Sequence, residues 1–286
     1  MAKKQTIATL RQKKARGERI TALTAYDFPT ALVLDQAGLD MILVGDSLGM
    51  VVQGRSDTLA VTMEEMLYHL RLVRRAVQSA LLVVDMPYGS YHESPRRAVR
   101  NGIALVKEGG AEAVKVEGGR QRLAVIRALL DAEIPVLWHL GLTPQSVHRL
   151  GGYKIQGRSP GEIDALLSDA EALEAEGCFG VVLEGMPHPV AALLTSRLSI
   201  PTIGIGSGPR CDGQILVSHD MLGWDPGSRL TFVRVYAGLA ELVGEAVRRY
   251  AADVQQGAFP SLDESFPLDP EVEKALREKY GTHRQD

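Results

Sequence analysis

The stretch "TMEEMLYHLRLVRRAVQSALLVVDM", residues 62–86, decides how the chain folds. Its first part has a helical pattern, with Thr62 placed to cap the N-terminus. Its last part, Leu81 to Val84, is an unbroken apolar run. Such a run reads as a strand covered on both faces, because only a half-exposed strand needs to alternate polar and apolar positions. Asp85 follows at once. A carboxylate at the end of a buried strand has to meet a cation, a metal, a hydrogen-bond network or water, since burying it unpaired costs several kcal/mol.

The same pattern recurs along the chain. Candidate strands are "ITALTA" (20–25), "LDMILVG" (39–45), "LLVVDM" (81–86), "EAVKVE" (112–117), "IPVLWHL" (134–140), "FGVVLEG" (179–185), "IPTIGIG" (200–206) and "QILVSH" (214–219). Helical patterns lie between several of them, including "SPGEIDALLSDAEALEAEG", which ends on a glycine. Repeated strand–helix–strand units build a parallel sheet. Eight such units in 286 residues favour an α/β fold closed into a (β/α)8 TIM barrel over an open doubly wound sheet. No linker or low-complexity segment divides the chain, and after Gly223 there is only a helical pattern and a Pro-punctuated end, "FPSLDESFPLDP". The expectation is one barrel domain, 1–286, with a helical C-terminal tail.

Composition narrows the function. A net charge of −3 and a pI near 6.2 give no global basic excess for gripping nucleic-acid phosphates. The N-terminal "MAKKQTIATLRQKKARGERI" is basic but lacks the apolar run of a signal peptide, and no stretch is long and apolar enough to span a bilayer. A cytoplasmic protein without nucleic-acid or membrane partners is expected. Cys178 and Cys211 form no CxxC pair and suggest no disulfide framework.

Ionisable residues gather at one end of the candidate strands: Asp46 and Ser47 after the second, Asp85 on the third, Lys115 and Glu117 on the fourth, His139 on the fifth and Glu184 on the sixth. In a (β/α)8 barrel these ends converge on one mouth. Lys115 and Glu117 are two residues apart and share a face, with Val114 and Val116 on the other. A structural ion pair and a functional pair both satisfy that pattern. Asp46, Asp85 and Glu117, with no cysteine nearby, suit a hard divalent ion, above all Mg²⁺, better than zinc. Two other motifs fail. "HESPR" (92–96) has Arg96 where a zinc-protease helix needs its second histidine, and "GIGSGP" from Gly204 has Pro209 where a dinucleotide fingerprint needs glycine.

"TAYDFPTA", "VGDSLGMVVQG", "DMPYGSY", "VKVEGG", "HLGLTPQSVHRLGGYKIQGR", "LEGMP" and "IPTIGIGSGPRCDGQILVSHD", in this order, resemble the ketopantoate hydroxymethyltransferase family. The resemblance runs from about residue 5 to 260. It implies a barrel of the phosphoenolpyruvate and pyruvate superfamily, assembled as a homodecamer, that makes ketopantoate for pantothenate and coenzyme A synthesis. It further implies that Asp46 and Asp85 ligate Mg²⁺ with Glu117 as a third carboxylate near the ion. Asp46, Ser47, Asp85 and Lys115 would contact the 2-oxo acid, His139 would sit in the active site, and Glu184 would be the proton acceptor. On this resemblance the substrates are 3-methyl-2-oxobutanoate and 5,10-methylenetetrahydrofolate. Trp138 stands where the family commonly has glycine, and Ser207 where it commonly has alanine. A related Mg²⁺-dependent 2-oxo acid lyase or mutase would share the carboxylates without needing folate, and a non-catalytic binding barrel would be expected to have lost one of them or the base.

Overall fold

A computed structural model describes residues 3–224 and 230–281; parts of the expected tail, 225–229 and 282–286, lie outside the described residues. Strands β1 (Ile20–Thr24), β2 (Met41–Val44), β3 (Leu81–Asp85), β4 (Ala113–Glu117), β5 (Val136–Gly141), β6 (Gly180–Glu184), β7 (Thr202–Ile205) and β8 (Gly213–Leu216) form a closed barrel in chain order. Every neighbouring pair is parallel, and β8 closes on β1 with Ile20 opposite Gly213. All the expected strands are present. The eighth ends earlier than its apolar run suggests, because Ser218 opens a short helix, Ser218–Leu222, and gives its N–H to Thr24 Oγ1 at 3.0 Å.

Alternation sorts each strand into two cores. Leu81, Val83, Ala113, Leu137 and Val182 face the barrel interior, packing with Met41, Leu43, Phe179 and Ile203. Leu82, Val84, Val114, Val116, Val181 and Leu183 face outward into the layer under the helices. Trp138 belongs to that outer layer and is fully buried there. It therefore lies on the opposite face of β5 from His139. Ser207 is also buried, and its hydroxyl donates to Leu183 O at 2.7 Å, so it settles into the turn after β7.

The barrel's floor is closed by the basic N-terminal segment. The helix Ile7–Ala15 places Leu10, with Ile7 beside it, against the interior core. Around this apolar contact, Lys4 reaches Glu112 (2.6 Å), Lys13 reaches Asp40 (2.5 Å) and Lys14 reaches Asp212 (2.7 Å). These acids stand just before β4, β2 and β8, at the N-terminal ends of the strands. The outer helix Met63–Ala76 starts as expected at Thr62, whose hydroxyl accepts from Glu65 N–H while Glu65 Oε2 accepts from Thr62 N–H at 2.7 Å. The helix Pro160–Ala175 is capped by Ser159 and followed by Gly177 at φ +99°.

The chain divides into two compact units, Met1–Tyr236 and Ala237–Asp286. The second contains the helices Leu239–Gln255 and Pro270–Tyr280, neither of which has a buried residue. Among the described residues no helix is long and apolar enough to cross a membrane.

Candidate active site

At the C-terminal strand ends the inward positions change character. Asp85 follows Leu81 and Val83 on the inner face of β3, Lys115 and Glu117 follow Ala113 on β4, His139 follows Leu137 on β5, and Glu184 follows Val182 on β6. Asp46 and Ser47 stand just past the end of β2. Asp46, Asp85, Lys115, Glu117 and His139 are each at most 5% exposed, while the Glu184 side chain keeps 19% of its surface.

Strand register sets the contacts. Asp85 is opposite Lys115, and the Lys115 ammonium donates to Asp85 Oδ1 at 2.7 Å while standing 3.7 Å from Glu117 Oε1. The nearer partner of Lys115 is thus the carboxylate on the neighbouring strand. Glu117 is opposite His139, whose Nδ1 lies 3.2 Å from Glu117 Oε1. His139 Nε2 lies 3.2 Å from Glu184 Oε2, at ion-pair distance but off the line of a good hydrogen bond. One imidazole therefore joins Glu184 to the cluster on β4. Asp46 N–H donates to Asp85 Oδ2 at 3.1 Å, and Tyr26 shares a 2.8 Å hydrogen bond with Ser47 Oγ.

The electrostatics follow from burial and crowding. Burial, then the charges of Asp85 and Glu117, hold the Asp46 carboxyl well above the usual carboxylate range. Burial works to raise Glu117 as well, but the charge and hydrogen bond of His139, Lys115 and the Gln145 N–H bring it below its ordinary value. Burial and the Lys115 charge depress His139, yet the charge and hydrogen bond of Glu117, with the nearby Glu184 carboxylate, outweigh them and lift it to about 9. Lys115 is raised: burial opposes its charge, and the surrounding carboxylates Asp85, Glu117 and Asp46 prevail. With no metal in the cluster, lysine and histidine are both held toward the cationic form.

Two contributors escape a reading of the sequence. Gln145 is buried in a turn after β5, and its amide donates to Asp46 Oδ2 (2.8 Å) and Met86 O (3.0 Å). Tyr91, also buried, donates its hydroxyl to Gln145 Oε1 at 2.6 Å. Both lie inside the quoted motifs, but a neutral amide and a phenol carry no charge that would single them out.

Among the described residues no set of three or more His, Cys, Asp and Glu side chains is arranged as a ready cage for a metal ion. The donors still fit a hard dication. Mg²⁺ is commonly held by one or two carboxylates, with substrate and water filling its octahedron. Asp46 and Asp85 supply two buried carboxyl groups at adjoining strand ends, where the Asp46 backbone N–H donates to Asp85 Oδ2.

A closed parallel barrel with buried acids and a lysine at the C-terminal strand ends has the architecture of a (β/α)8-barrel enzyme. Its fold is similar to that of phosphonopyruvate hydrolase, solved as a complex with oxalate and Mg²⁺ (TM-score 0.60, 14% identity, 96% of this chain and 99% of that one). It is likewise similar to 2,3-dimethylmalate lyase, a member of the PEP mutase/isocitrate lyase superfamily (TM-score 0.57, 17% identity, 96% of this chain and 97% of that one). Residues 4–262 match the family model for ketopantoate hydroxymethyltransferase, and the chain belongs to that family. It is 54% identical over 273 residues to the 3-methyl-2-oxobutanoate hydroxymethyltransferase of Koribacter versatilis, covering 96% of this chain and 92% of that protein. With the enzyme of the same name from Thermoanaerobacter sp. it shares 51% identity over 274 residues, covering 96% of this chain and all of that protein.

Proposed function

We propose that the chain transfers a hydroxymethyl group from 5,10-methylenetetrahydrofolate to 3-methyl-2-oxobutanoate, giving ketopantoate for pantothenate and coenzyme A synthesis. The observation that carries this reading is the convergence of Asp46, Asp85, Lys115, Glu117, His139 and Glu184 at one barrel mouth in a member of this family. Asp46 and Asp85 would hold Mg²⁺, with Glu117 beside it. When bound, the ion supplies a Lewis acid that stabilises negative charge on the keto oxygen of the 2-oxo acid.

The residues divide the remaining work. Glu184 takes the C3 proton of the oxo acid, which yields the enolate nucleophile that adds to the methylene carbon of the folate. Water supplies the hydroxyl oxygen, and the carbon–nitrogen bonds of the methylene break to release tetrahydrofolate. Its partial exposure leaves it reachable by a bound molecule. Lys115 keeps a fixed positive charge beside Asp85, where it offsets charge growing on the substrate oxygen. Ser47, oriented by Tyr26, offers a hydroxyl to the substrate carboxylate. His139 holds Glu117 and Glu184 in register from either side of one ring.

The family model runs from residue 4 to 262, across the division at Tyr236, which supports reading the barrel and the helix Leu239–Gln255 as parts of one family unit, with the helix Pro270–Tyr280 beyond it. Assembly into a homo-oligomer, a decamer by resemblance, is supported by Leu242, Val243, Val247, Tyr250 and Val254, which the helix Leu239–Gln255 leaves uncovered. A cytoplasmic location agrees with a biosynthetic enzyme whose two cysteines are both free.

The deciding experiment follows C3 deuterium exchange of 3-methyl-2-oxobutanoate by NMR in deuterated water, with Mg²⁺ and no folate. Metal-dependent exchange is expected. Its absence would remove the enolate chemistry, and exchange without hydroxymethyl transfer when folate is added would move the chain to the lyase and mutase reading.

A further inference from the structure

Among the described residues, Gln145 is the one neutral side chain that hydrogen-bonds directly to a carboxylate of the Asp46, Asp85 and Glu117 cluster. It comes from the turn Pro144–Ser146, closed by Ser146 N–H donating to Thr143 O at 2.8 Å, immediately past β5. From there it ties together the ends of three other strands. Its Nε2 donates to Asp46 beyond β2 and to the Met86 carbonyl beyond β3, and its own N–H donates to Glu117 Oε2 on β4 at 3.0 Å.

The amide has only one workable orientation. Tyr91 Oη accepts from Glu117 N–H at 3.2 Å and donates its proton to Gln145 Oε1. Turning the amide over would set its oxygen against the Met86 carbonyl, acceptor against acceptor, and would leave the Tyr91 proton facing an NH₂. The direction of the whole chain is therefore fixed: Glu117 N–H to Tyr91, Tyr91 to Gln145, Gln145 to Asp46. A lysine in this place would compete with a cation for the carboxylates, and an apolar side chain would leave Asp46 free to rotate. An amide holds one carboxylate oxygen by hydrogen bonding, adds no charge, and leaves the other oxygen available.

With the ion assigned to Asp46 and Asp85 as above, we propose that Gln145, oriented by Tyr91, is a positioning residue that presets Asp46 for the divalent ion. Groups that orient metal ligands in this way commonly contribute about 10- to 100-fold to metal affinity.

The test is direct binding of Mn²⁺ to metal-stripped protein, read from the EPR signal of the free ion, with melting temperatures measured alongside. Gln145→Met keeps the length and removes the amide; its dissociation constant for Mn²⁺ should rise about 10- to 100-fold. Tyr91→Phe removes only the hydroxyl that orients the amide, and should weaken Mn²⁺ binding in the same direction by a smaller factor. Melting temperatures that fall while Mn²⁺ affinity stays at the parent value would overturn the proposal and leave Gln145 as a structural contact. If Gln145→Met does not fold, unchanged Mn²⁺ affinity in Tyr91→Phe overturns it equally. A parent protein that binds no Mn²⁺ would refute the metal assignment itself, and the role of Gln145 with it.

Discussion

The floor and the mouth of the barrel are built from the same strands and the same inward-facing register, yet they follow opposite rules. Near the floor the inward positions are Leu81, Ala113, Leu137 and Met41, sealed by Leu10, and each gains by leaving water. Two or four residues further along the same face stand Asp85, Lys115, Glu117 and His139, for which leaving water is a cost met only by mutual pairing. The floor therefore stabilises the fold, and the mouth draws on that stability to keep charges dry and close together. Substitutions at the two ends should separate accordingly.

The largest effect should come from the mouth. Prolonged EDTA treatment should abolish turnover and Mg²⁺ should restore it, with Asp46→Asn and Asp85→Asn weakening the response to metal. Full activity in stripped protein would break the comparison at its functional end. Next, Glu184→Gln should lower the rate of C3 exchange by about 10² to 10⁴-fold while oxo-acid binding survives in a titration, because shape is kept and basicity is lost. Exchange at the parent rate would shift the base to another group.

At the floor, Leu10→Ala should destabilise the protein by about 2 to 5 kcal/mol in denaturant unfolding. At a temperature where the variant remains folded its kcat should match the parent. A selective loss of activity there would mean that floor and mouth are not independent.

The charge pattern also predicts where pH acts. His139 is raised from 6.5 to about 9, so in metal-stripped protein its stabilising contribution is complete below about pH 6.5 and is lost as pH rises through about 9. His139→Asn should flatten the fall in stability across that window, whereas Leu10→Ala should leave its slope unchanged. The smallest effect belongs to neither end: Thr62→Ala on the outer helix Met63–Ala76 should cost about 1 kcal/mol, with activity unaltered.

The strands were legible because burial on both faces erases alternation, and the "LLVV" of β3 needs no neighbour to be recognised. The inward face shared by Lys115 and Glu117 was legible too, since a strand's period of two is fixed by the backbone. What the sequence hides is register. That Lys115 meets Asp85 more closely than Glu117 depends on how β3 lies against β4, which no local pattern encodes. Gln145 and Tyr91 were hidden for a different reason: their importance lies in hydrogen-bond direction, not in charge or hydrophobicity. The lysines of the N-terminal segment looked like a plain basic run, and only the fold brings them to acids that precede β2, β4 and β8.

That closed floor has a kinetic consequence. With Leu10 packed into the interior core and three lysine pairs anchoring its segment at the N-terminal strand ends, the described residues close the barrel on the side away from the acids. Two reactants that share the open end of such a barrel should bind in a fixed order, the deeper one first, and product-inhibition kinetics that show random order would contradict it.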